Sequence, residues 1–328
     1  MDRKGERMMT KLQKKIDFIG FITVKRANPN GDPLNGNQPR TDYDGYGEIS
    51  DVCIKRKIRN RLQEAQEKIL VQSDERADDG CDSILSRVKM HPAVGALFAN
   101  LVKKNKKGEE TNTHEKKQKF YKEACKTWMD VRSFGQVFAF KARSKKRNSE
   151  EEDEKEASLS VGVRGPVSIH TAVSLDPVAV TGVQITKSVN NEPGDKKGSD
   201  TMGMKYRVDF GVYKFQGSIN VQLAESTGFS EDDAKKVKEA LCTIFENDAS
   251  SARPDGSMEL SLFYWIEHDN KSGSASSAKV HRSVVARKKE GVDIPKHWED
   301  YVLDDSELRA IAGIHIEKYV DGALVEGE

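Results

Sequence analysis

The segment from Arg26 to Arg40, RANPNGDPLNGNQPR, is the sequence feature that most constrains the fold. It lies between an apolar run, residues 16–25, and a stretch of helical periodicity that begins near Ser50. Asparagine, glycine and proline favour turns and positive φ, and they do not build a core. We therefore predict a strand, then a loop whose backbone approaches something closely, then a helix.

Length and composition allow one elaborated domain or two ordinary ones. The 328 residues are 36% hydrophobic and 33% charged, and the net charge is +1. Nucleic-acid-binding domains usually have a clear basic excess, so the bulk charge does not indicate one. Acidic residues are nevertheless concentrated in residues 74–82, 150–154 and 299–307, which leaves the rest of the chain distinctly basic.

Neither a membrane segment nor a zinc or disulfide framework is expected. The apolar run is short, contains Asp17 and ends in Lys25 and Arg26, unlike a signal peptide. No pair of cysteines has CxxC spacing among Cys53, Cys81, Cys125 and Cys242. We therefore expect a cytoplasmic protein without a membrane partner.

The stretch after Ser50 predicts an amphipathic helix with a basic shoulder. Its apolar residues recur at helical spacing and predict a buried stripe of Ile54, Ile58, Leu62, Ala65 and Ile69. Lys55 and Arg59 lie one turn apart beside this stripe, with Arg56 close by. Periodicity alone makes them a solvated face, whereas the neighbouring amide-rich loop favours an anion site. Ser50 is predicted either to cap the helix or to donate to a phosphate.

The later elements complete a recognisable order. Strands are predicted for residues 131–140, 161–175 and 258–268, with hairpin arms at 179–187 and 205–221 and a helix from Ser230. The order strand, helix, strand, strand, helix, strand is that of the ferredoxin-like split, which RNA-recognition-motif domains share. We predict an α+β fold with such a sheet as its core.

Four motifs together resemble the backbone subunit of a type I CRISPR effector complex (Cascade), most closely the Cas7 family of subtype I-C. They are the loop at residues 28–33, the helix start at 50–59, the segment 130–135 and the segment 165–170. The resemblance extends from about residue 16 to about residue 285. It implies a hand-shaped single domain with a palm like an RNA-recognition motif, helical fingers and a projecting β-hairpin thumb.

The predicted boundaries follow from that resemblance. The palm comprises residues 16–72, 131–178 and 208–285, and the fingers are the insertion 73–130. The thumb hairpin is 179–207, and a C-terminal extension covers 286–328. The resemblance implies that copies polymerise along the guide RNA spacer, bind it largely independently of sequence, and present it to foreign DNA together with other type I-C subunits. It implies no enzymatic activity, no metal and no cofactor.

The candidate RNA-binding residues form three groups. The loop and helix supply amide and cationic groups: Arg26, Asn28, Asn30, Asn35, Asn37, Gln38, Arg40, Ser50, Lys55, Arg56 and Arg59. The resemblance places a second group on the palm, where aromatic and arginine side chains of RNA-binding sheets stack on bases: Arg132, Ser133, Phe134, Gly135 and Arg164. The thumb supplies apolar wedge candidates, which in a plain hairpin would only pack its arms: Met202, Met204 and Tyr206.

Two other classes of function stay open. Related type III backbone subunits cleave target RNA through an acidic residue in the corresponding first loop, and Asp32, Asp42 and Asp44 offer clustered carboxylates for a divalent metal. The same residues are also ordinary turn chemistry. A metal-dependent ribonuclease is therefore the alternative function. The third class of function is a scaffold that does not bind nucleic acid. The cationic face of Lys55 and Arg59 argues against it.

Overall fold

The computed structural model describes residues 10–102, 113–140, 158–186 and 202–327. The helices in these ranges are α1 (Asp51–Glu64), α2 (Ile84–Met90), α3 (Pro92–Val102), α4 (His114–Thr127), α5 (Met129–Phe134), α6 (Val221–Thr227), α7 (Glu231–Cys242), α8 (Ser277–Arg282) and α9 (Ser306–Arg309). The strands are β1 (Ile16–Ala27), β2 (Gly31–Asp32), β3 (Gln38–Pro39), β4 (Tyr46–Ile49), β5 (Gly135–Phe140), β6 (Leu159–Arg164), β7 (Val167–Ile169), β8 (Ala172–Pro177), β9 (Val180–Thr186), β10 (Met202–Ile219), β11 (Met258–His268), β12 (Val285–Lys288), β13 (Tyr301–Asp304), β14 (Ile314–Val320) and β15 (Ala323–Gly327). The chain is thus a mixed α+β protein, as predicted.

The chain folds into two compact units. The first unit comprises Met1–Lys15, Arg59–Ser168 and Ile219–Val237, and the second comprises Ile16–Ile58, Ile169–Ser218 and Lys238–Glu328. Of the five chain positions at which the units meet, two fall within α1 and α7 and two fall within β7 and β10. None of the helices in the described ranges combines the length and the apolar character needed to cross a bilayer.

A large sheet forms the second unit. Its strands follow the order β15, β14, β11, β1, β10, β8 and β4. Strand β1 is buried along its first nine residues, which fits the prediction of a covered apolar strand. It runs antiparallel to β11, with Ile16 opposite Glu267 and a register shift between Phe21 and Ile22. Strand β11 is the last strand of the predicted order, but β14 and β15 extend the sheet beyond it, and their half-exposed and exposed residues form no strong apolar pattern.

Helix α1 is shorter than its apolar periodicity predicted. It ends at Glu64, because Gln66 is left-handed (φ 66°) and the Glu67 amide donates to the Leu62 carbonyl (3.0 Å). Ala65 is therefore exposed, so its place in the predicted core stripe was wrong. The stripe is otherwise buried, at Ile54, Ile58, Leu62 and Ile69.

The first unit has its own core. The insertion predicted for residues 73–130 contains α2, α3 and α4, which pack with the β5 and β6 hairpin. Phe120 of α4 meets Phe138 of β5 edge to face at 5.1 Å between ring centroids. Within the described residues β5 and β6 pair with each other and not with the large sheet, although the predicted palm includes residues 131–178.

A half-buried lysine should give the second unit a pH-dependent stability. Lys214 of β10 donates to the carbonyls of His281 and Val284 (both 2.7 Å), and burial lowers its pKa to about 8. Between pH 8 and 10 the unfolded chain keeps a proton that the folded chain has released, so this residue makes stability rise with pH by at most about 1.4 kcal/mol per pH unit. Lys214→Met should remove that contribution. Urea melts at pH 8, 9 and 10 give the free energies of unfolding of the wild type and the variant. As the pH rises, the free energy of the wild type should increase relative to that of the variant. A difference that stays constant with pH would contradict the lowered pKa of Lys214.

Candidate nucleic-acid interface

The first loop is held together by its own amide groups. Asn28 is buried and its Nδ2 donates to the carbonyl of Asn37 (2.8 Å). The predicted positive φ occurs at Gly36 (57°) and Asn37 (58°). A Cβ on Gly31 would collide with the Asn37 side chain, so the close approach that this glycine permits is to another part of the loop.

Asn30 and Ser50 join the loop to the start of α1. Asn30 Oδ1 accepts from the Ser50 amide (2.9 Å) and the Ser50 hydroxyl (2.8 Å). Ser50 Oγ in turn accepts from the Cys53 amide (3.3 Å), which is the capping role that the sequence offered as one of two. Of the other candidates on this loop, Asn35 and Asn37 are exposed, whereas Gln38 and Arg40 are half-buried.

The three candidate cations of α1 have different surroundings. Lys55 is paired with Asp51 one turn earlier (2.9 Å), and both lie in the second unit. Arg59 lies in the first unit, where it is paired with the buried Asp130 (3.0 Å) and its guanidinium stacks 4.9 Å from the centre of the Phe134 ring. Arg56 is half-buried. A phosphate would have to compete with a carboxylate at both Lys55 and Arg59.

The segment from Arg132 to Phe134 is helical, so its prediction as part of a strand was wrong. Helix α5 ends at Phe134, and β5 starts at Gly135, where φ is 82°. Arg132 is buried and binds Asp233 through two hydrogen bonds (2.8 and 3.1 Å). Ser133 is buried and donates to the Met129 carbonyl (2.6 Å). Neither side chain is therefore presented on a sheet surface for base stacking.

Gly135 and Arg164 are opposite each other at the start of the β5 and β6 pair. A Cβ on Gly135 would collide with the Val163 carbonyl, so only glycine fits this close crossing of two backbones. Arg164 is exposed. Of the two arginines that the resemblance places on the palm, Arg164 is therefore the one whose side chain is exposed.

The arms of the predicted hairpin pair as expected. Strand β9 runs antiparallel to β10, with Met202 opposite Thr186 and Val208 opposite Val180. The joining segment, predicted for residues 188–201, lies outside the described residues. Alternate residues share a face of a strand, so the three wedge candidates lie side by side: Met202, Met204 and Tyr206. A Cβ on Gly182 would be 3.0 Å from the Tyr206 ring and 3.2 Å from the Met204 methyl, so these two side chains lie across Gly182.

A basic cavity lies near the ends of β1 and β9 in the second unit. Its volume is about 850 Å³, and its basic lining residues are Lys25, Arg26, Arg207, Lys296 and His297. The last residues of β8 and the first of β9 contribute Asp176 and Thr181, and β10 contributes Asp209. The sequence prediction included Arg26 alone among these five basic residues. We call this feature the basic cavity.

The two carboxylates of the basic cavity have partners of their own. Asp176 accepts from the Tyr301 hydroxyl (2.8 Å) and pairs with Lys288 (3.2 Å), and Asp209 accepts from the Thr181 hydroxyl (2.7 Å). Lys25, Arg26 and Lys296 are exposed, and no carboxylate in the described ranges lies within ion-pair distance of them. The cavity therefore has an excess of positive charge that is open to an anion.

Arg26 has a backbone conformation that is costly for a non-glycine residue. Its φ is 53°, and such outliers cost about 1–3 kcal/mol and are concentrated at functional sites. The surrounding structure holds it there: the Lys25 amide donates to the Ser257 carbonyl (2.8 Å) and the Asn28 amide donates to the Ala252 carbonyl (2.9 Å). The strained residue lines the basic cavity, which makes this cavity the strongest candidate for contact with a phosphate chain.

The carboxylates of the first loop are engaged in turns. Asp32 Oδ1 accepts from the Leu34 amide (3.2 Å) and pairs with Arg40 (3.4 Å). Asp42 Oδ1 accepts from the amides of Asp44 (3.0 Å) and Tyr46 (2.8 Å). In the part of the chain that the structure describes, no three acidic, histidine or cysteine residues are grouped so as to hold a metal ion. The geometry thus favours the turn interpretation of these residues.

Comparison with known proteins places the chain in a family. A sequence model of the family described as CRISPR-associated protein Cas7 matches residues 14–306. The chain belongs to this family. A Cas7-family relative, the "CRISPR-associated protein Cas7" of Haloferax volcanii, is 26% identical over 266 residues, which cover 80% of this chain and 72% of the relative. The resemblance seen in the motifs is confirmed for the family, whereas subtype I-C stays a prediction.

Two solved structures also align with this Cas7-family chain. One is a chain of a "CRISPR RNA-guided surveillance complex, pre-nicking", with a TM-score of 0.40 and 18% identity over 77% of this chain and 75% of that one. The other is a chain of a "CRISPR RNA-guided surveillance complex", with a TM-score of 0.37 and 16% identity over 85% of this chain and 78% of that one.

Proposed function

We propose that the chain is a non-catalytic backbone subunit of a CRISPR effector of type I, subtype I-C. In this function it polymerises along the spacer of a guide RNA, binds the phosphate chain largely independently of sequence, and presents the bases to foreign DNA. Its partners are guide RNA, target DNA, further copies of itself and the other effector subunits, in the cytoplasm and away from membranes. The observation that supports this best is the basic cavity with its strained Arg26.

The sheet and the hairpin support the palm and thumb of this proposal. Among the four central strands, β11, β1, β10 and β8 are the fourth, first, third and second in the chain. Helix α1 follows the first of them and α7 follows the third, which is the element order of the ferredoxin-like split. We propose that this sheet is the palm, the helices of residues 73–130 the fingers, and β9 with the first half of β10 the thumb.

Binding to unrelated single-stranded RNAs of equal length tests the proposal. Because phosphates and 2′-hydroxyls supply the contacts, dissociation constants should agree within about threefold, and log K should fall linearly with log salt at about 0.7 per phosphate bound. A strong preference for one sequence would contradict it. Labelled target RNA incubated with manganese or magnesium should stay intact, and cleavage that EDTA stops would instead support the ribonuclease.

The wedge face of the hairpin should be needed for ordered assembly. Replacing Met202, Met204 and Tyr206 with serine should leave the fold intact, since Met202 and Met204 are 62% and 51% exposed, but should abolish regular assemblies on spacer-length RNA seen by electron microscopy. The matched control replaces Val183 and Ile185 with serine as well. These two residues are exposed on the opposite face of the same hairpin. Regular assemblies formed equally by both variants would show that the wedge face has no such role.

A further inference from the structure

One carboxylate lines the basic cavity directly beside its cations. Asp209 follows Arg207 by two residues on β10, so the two side chains lie on the same face of the strand, opposite the wedge candidates. Thr181 of β9 is paired with Arg207 and lies on this face as well. All three residues line the basic cavity, and all belong to the second unit. The cavity therefore contains a negative group that phosphate binding alone would not need.

The carboxylate of Asp209 is held by one oxygen and open at the other. Oδ2 accepts from the Thr181 hydroxyl (2.7 Å). Oδ1 is 3.6 Å from Arg207 Nε, beyond hydrogen-bond distance, and it accepts no hydrogen bond from the described residues. The Asp209 side chain is 47% exposed, so a ligand in the cavity can reach it. Asp176, the other carboxylate of the cavity, is already paired with Lys288.

A carboxylate limits which atoms of a nucleic acid can lie beside it. A phosphate oxygen is repelled by Asp209 and has no proton to donate to it. The sugar–phosphate chain of RNA has one kind of hydrogen-bond donor, the 2′-hydroxyl, which DNA lacks. Amino groups of the bases also donate, but they vary with sequence, whereas the proposed function requires contacts that are largely independent of sequence. The donor that suits Asp209 is therefore the 2′-hydroxyl.

We propose that Asp209 is the residue by which the chain distinguishes RNA from DNA. A ribose 2′-hydroxyl donates to Asp209 Oδ1, while Lys25, Arg26 and Lys296 hold the neighbouring phosphates. This rests on the proposed function, in which the basic cavity binds the phosphate chain of single-stranded RNA. With DNA the same carboxylate would repel the phosphates and gain no hydrogen bond in return. Asp209 therefore selects RNA partly by weakening the binding of DNA.

Oligonucleotides with modified sugars test the role of the 2′-hydroxyl. Full-length protein is titrated with a single-stranded RNA, with the 2′-fluoro RNA of the same sequence and with the corresponding DNA, at a length that binds one protomer. The 2′-fluoro sugar keeps the conformation of ribose but has no proton to donate. RNA should bind about tenfold more tightly than 2′-fluoro RNA, as expected for one hydrogen bond to a charged group. Equal binding of these two would overturn the proposal, even if DNA binds more weakly.

Asp209→Ala should abolish the preference for RNA without abolishing binding. The variant loses the acceptor and the repulsion together, so 2′-fluoro RNA and DNA should bind more tightly than they bind the wild type. The affinities for RNA and 2′-fluoro RNA should then agree within about twofold. The control Glu239→Ala removes the same charge from an exposed site on α7, in the second unit but outside the lining of the basic cavity, and should keep the wild-type preference.

Two results with Asp209→Ala would overturn the proposal. Equal weakening of RNA, 2′-fluoro RNA and DNA would mean that Asp209 only holds Arg207 in place, and an unchanged preference for RNA would mean that the 2′-hydroxyl is recognised elsewhere. The salt dependence of RNA binding separates this inference from the proposed function. If wild-type protein binds RNA and 2′-fluoro RNA equally while log K still falls with log salt, only the role of Asp209 is wrong. If that salt dependence is missing, the proposed function is wrong as well.

Discussion

Replacing Arg132 with alanine should lower the free energy of unfolding by about 3–5 kcal/mol, the cost of leaving one partner of a buried ion pair uncompensated. The Arg132 guanidinium binds both oxygens of Asp233, whose carboxylate is fully buried. Asp233 also accepts from the Ser230 amide (2.9 Å) and hydroxyl (3.0 Å) at the start of α7. Loss of the arginine therefore leaves a buried negative charge at the beginning of a helix. Urea unfolding of the variant measures the change.

Arg164→Ala is the matched control. Arg164 is exposed on β6 in the same unit, so its loss should change the free energy of unfolding by less than about 0.5 kcal/mol. The two variants separate a structural from an RNA-binding role for Arg132. An Arg132→Ala protein with wild-type stability and weakened RNA binding would show that Arg132 contacts the RNA, as the resemblance implied.

The sequence predicted the elements whose pattern is local. Strand β1 and the hairpin arms are continuous or alternating apolar runs, and the capping role of Ser50 needed only its own helix. The helical state of Arg132 to Phe134 was missed because the partner that buries Arg132 is Asp233, 101 residues away. A short arginine, serine and phenylalanine run before a glycine has no strong preference of its own, so tertiary contacts decided its conformation.

The sequence predicted an unusual first loop, but it did not predict which of the loop's groups are open to a ligand. The first loop was correctly singled out as unusual, but Asn28 and Asn30 satisfy hydrogen bonds of the loop and of α1. Composition cannot distinguish an amide that faces a ligand from one that closes a turn. The basic cavity brings Lys25 and Arg26 together with Lys296. Lys296 lies about 270 positions later in the chain, in the predicted C-terminal extension. Only the fold brings such distant residues to one place.

Removing three cations of the basic cavity should weaken RNA binding by about two to three orders of magnitude at 0.1 M salt. Lys25→Gln, Arg26→Gln and Lys296→Gln each delete one charge, and a hydrogen bond to a charged phosphate contributes about 1.5 kcal/mol or more, close to a factor of ten. The slope of log K against log salt should become less negative by about 0.7 for each phosphate that the variant no longer binds, or about 2 for the triple variant. Folding should survive because all three side chains are exposed.

The control for this triple variant must remove the same charge elsewhere. Lys119, Lys122 and Lys126 are exposed on α4 of the first unit, and changing all three to glutamine alters the net charge equally. If the basic cavity holds the phosphate chain, the α4 variant should keep most of the wild-type affinity and slope, because exposed charges that do not touch the RNA are screened beyond about 10 Å at 0.1 M salt. Equal losses of affinity in both variants would mean that RNA binding depends only on the overall charge of the protein. The basic cavity would then not be the site where the RNA binds.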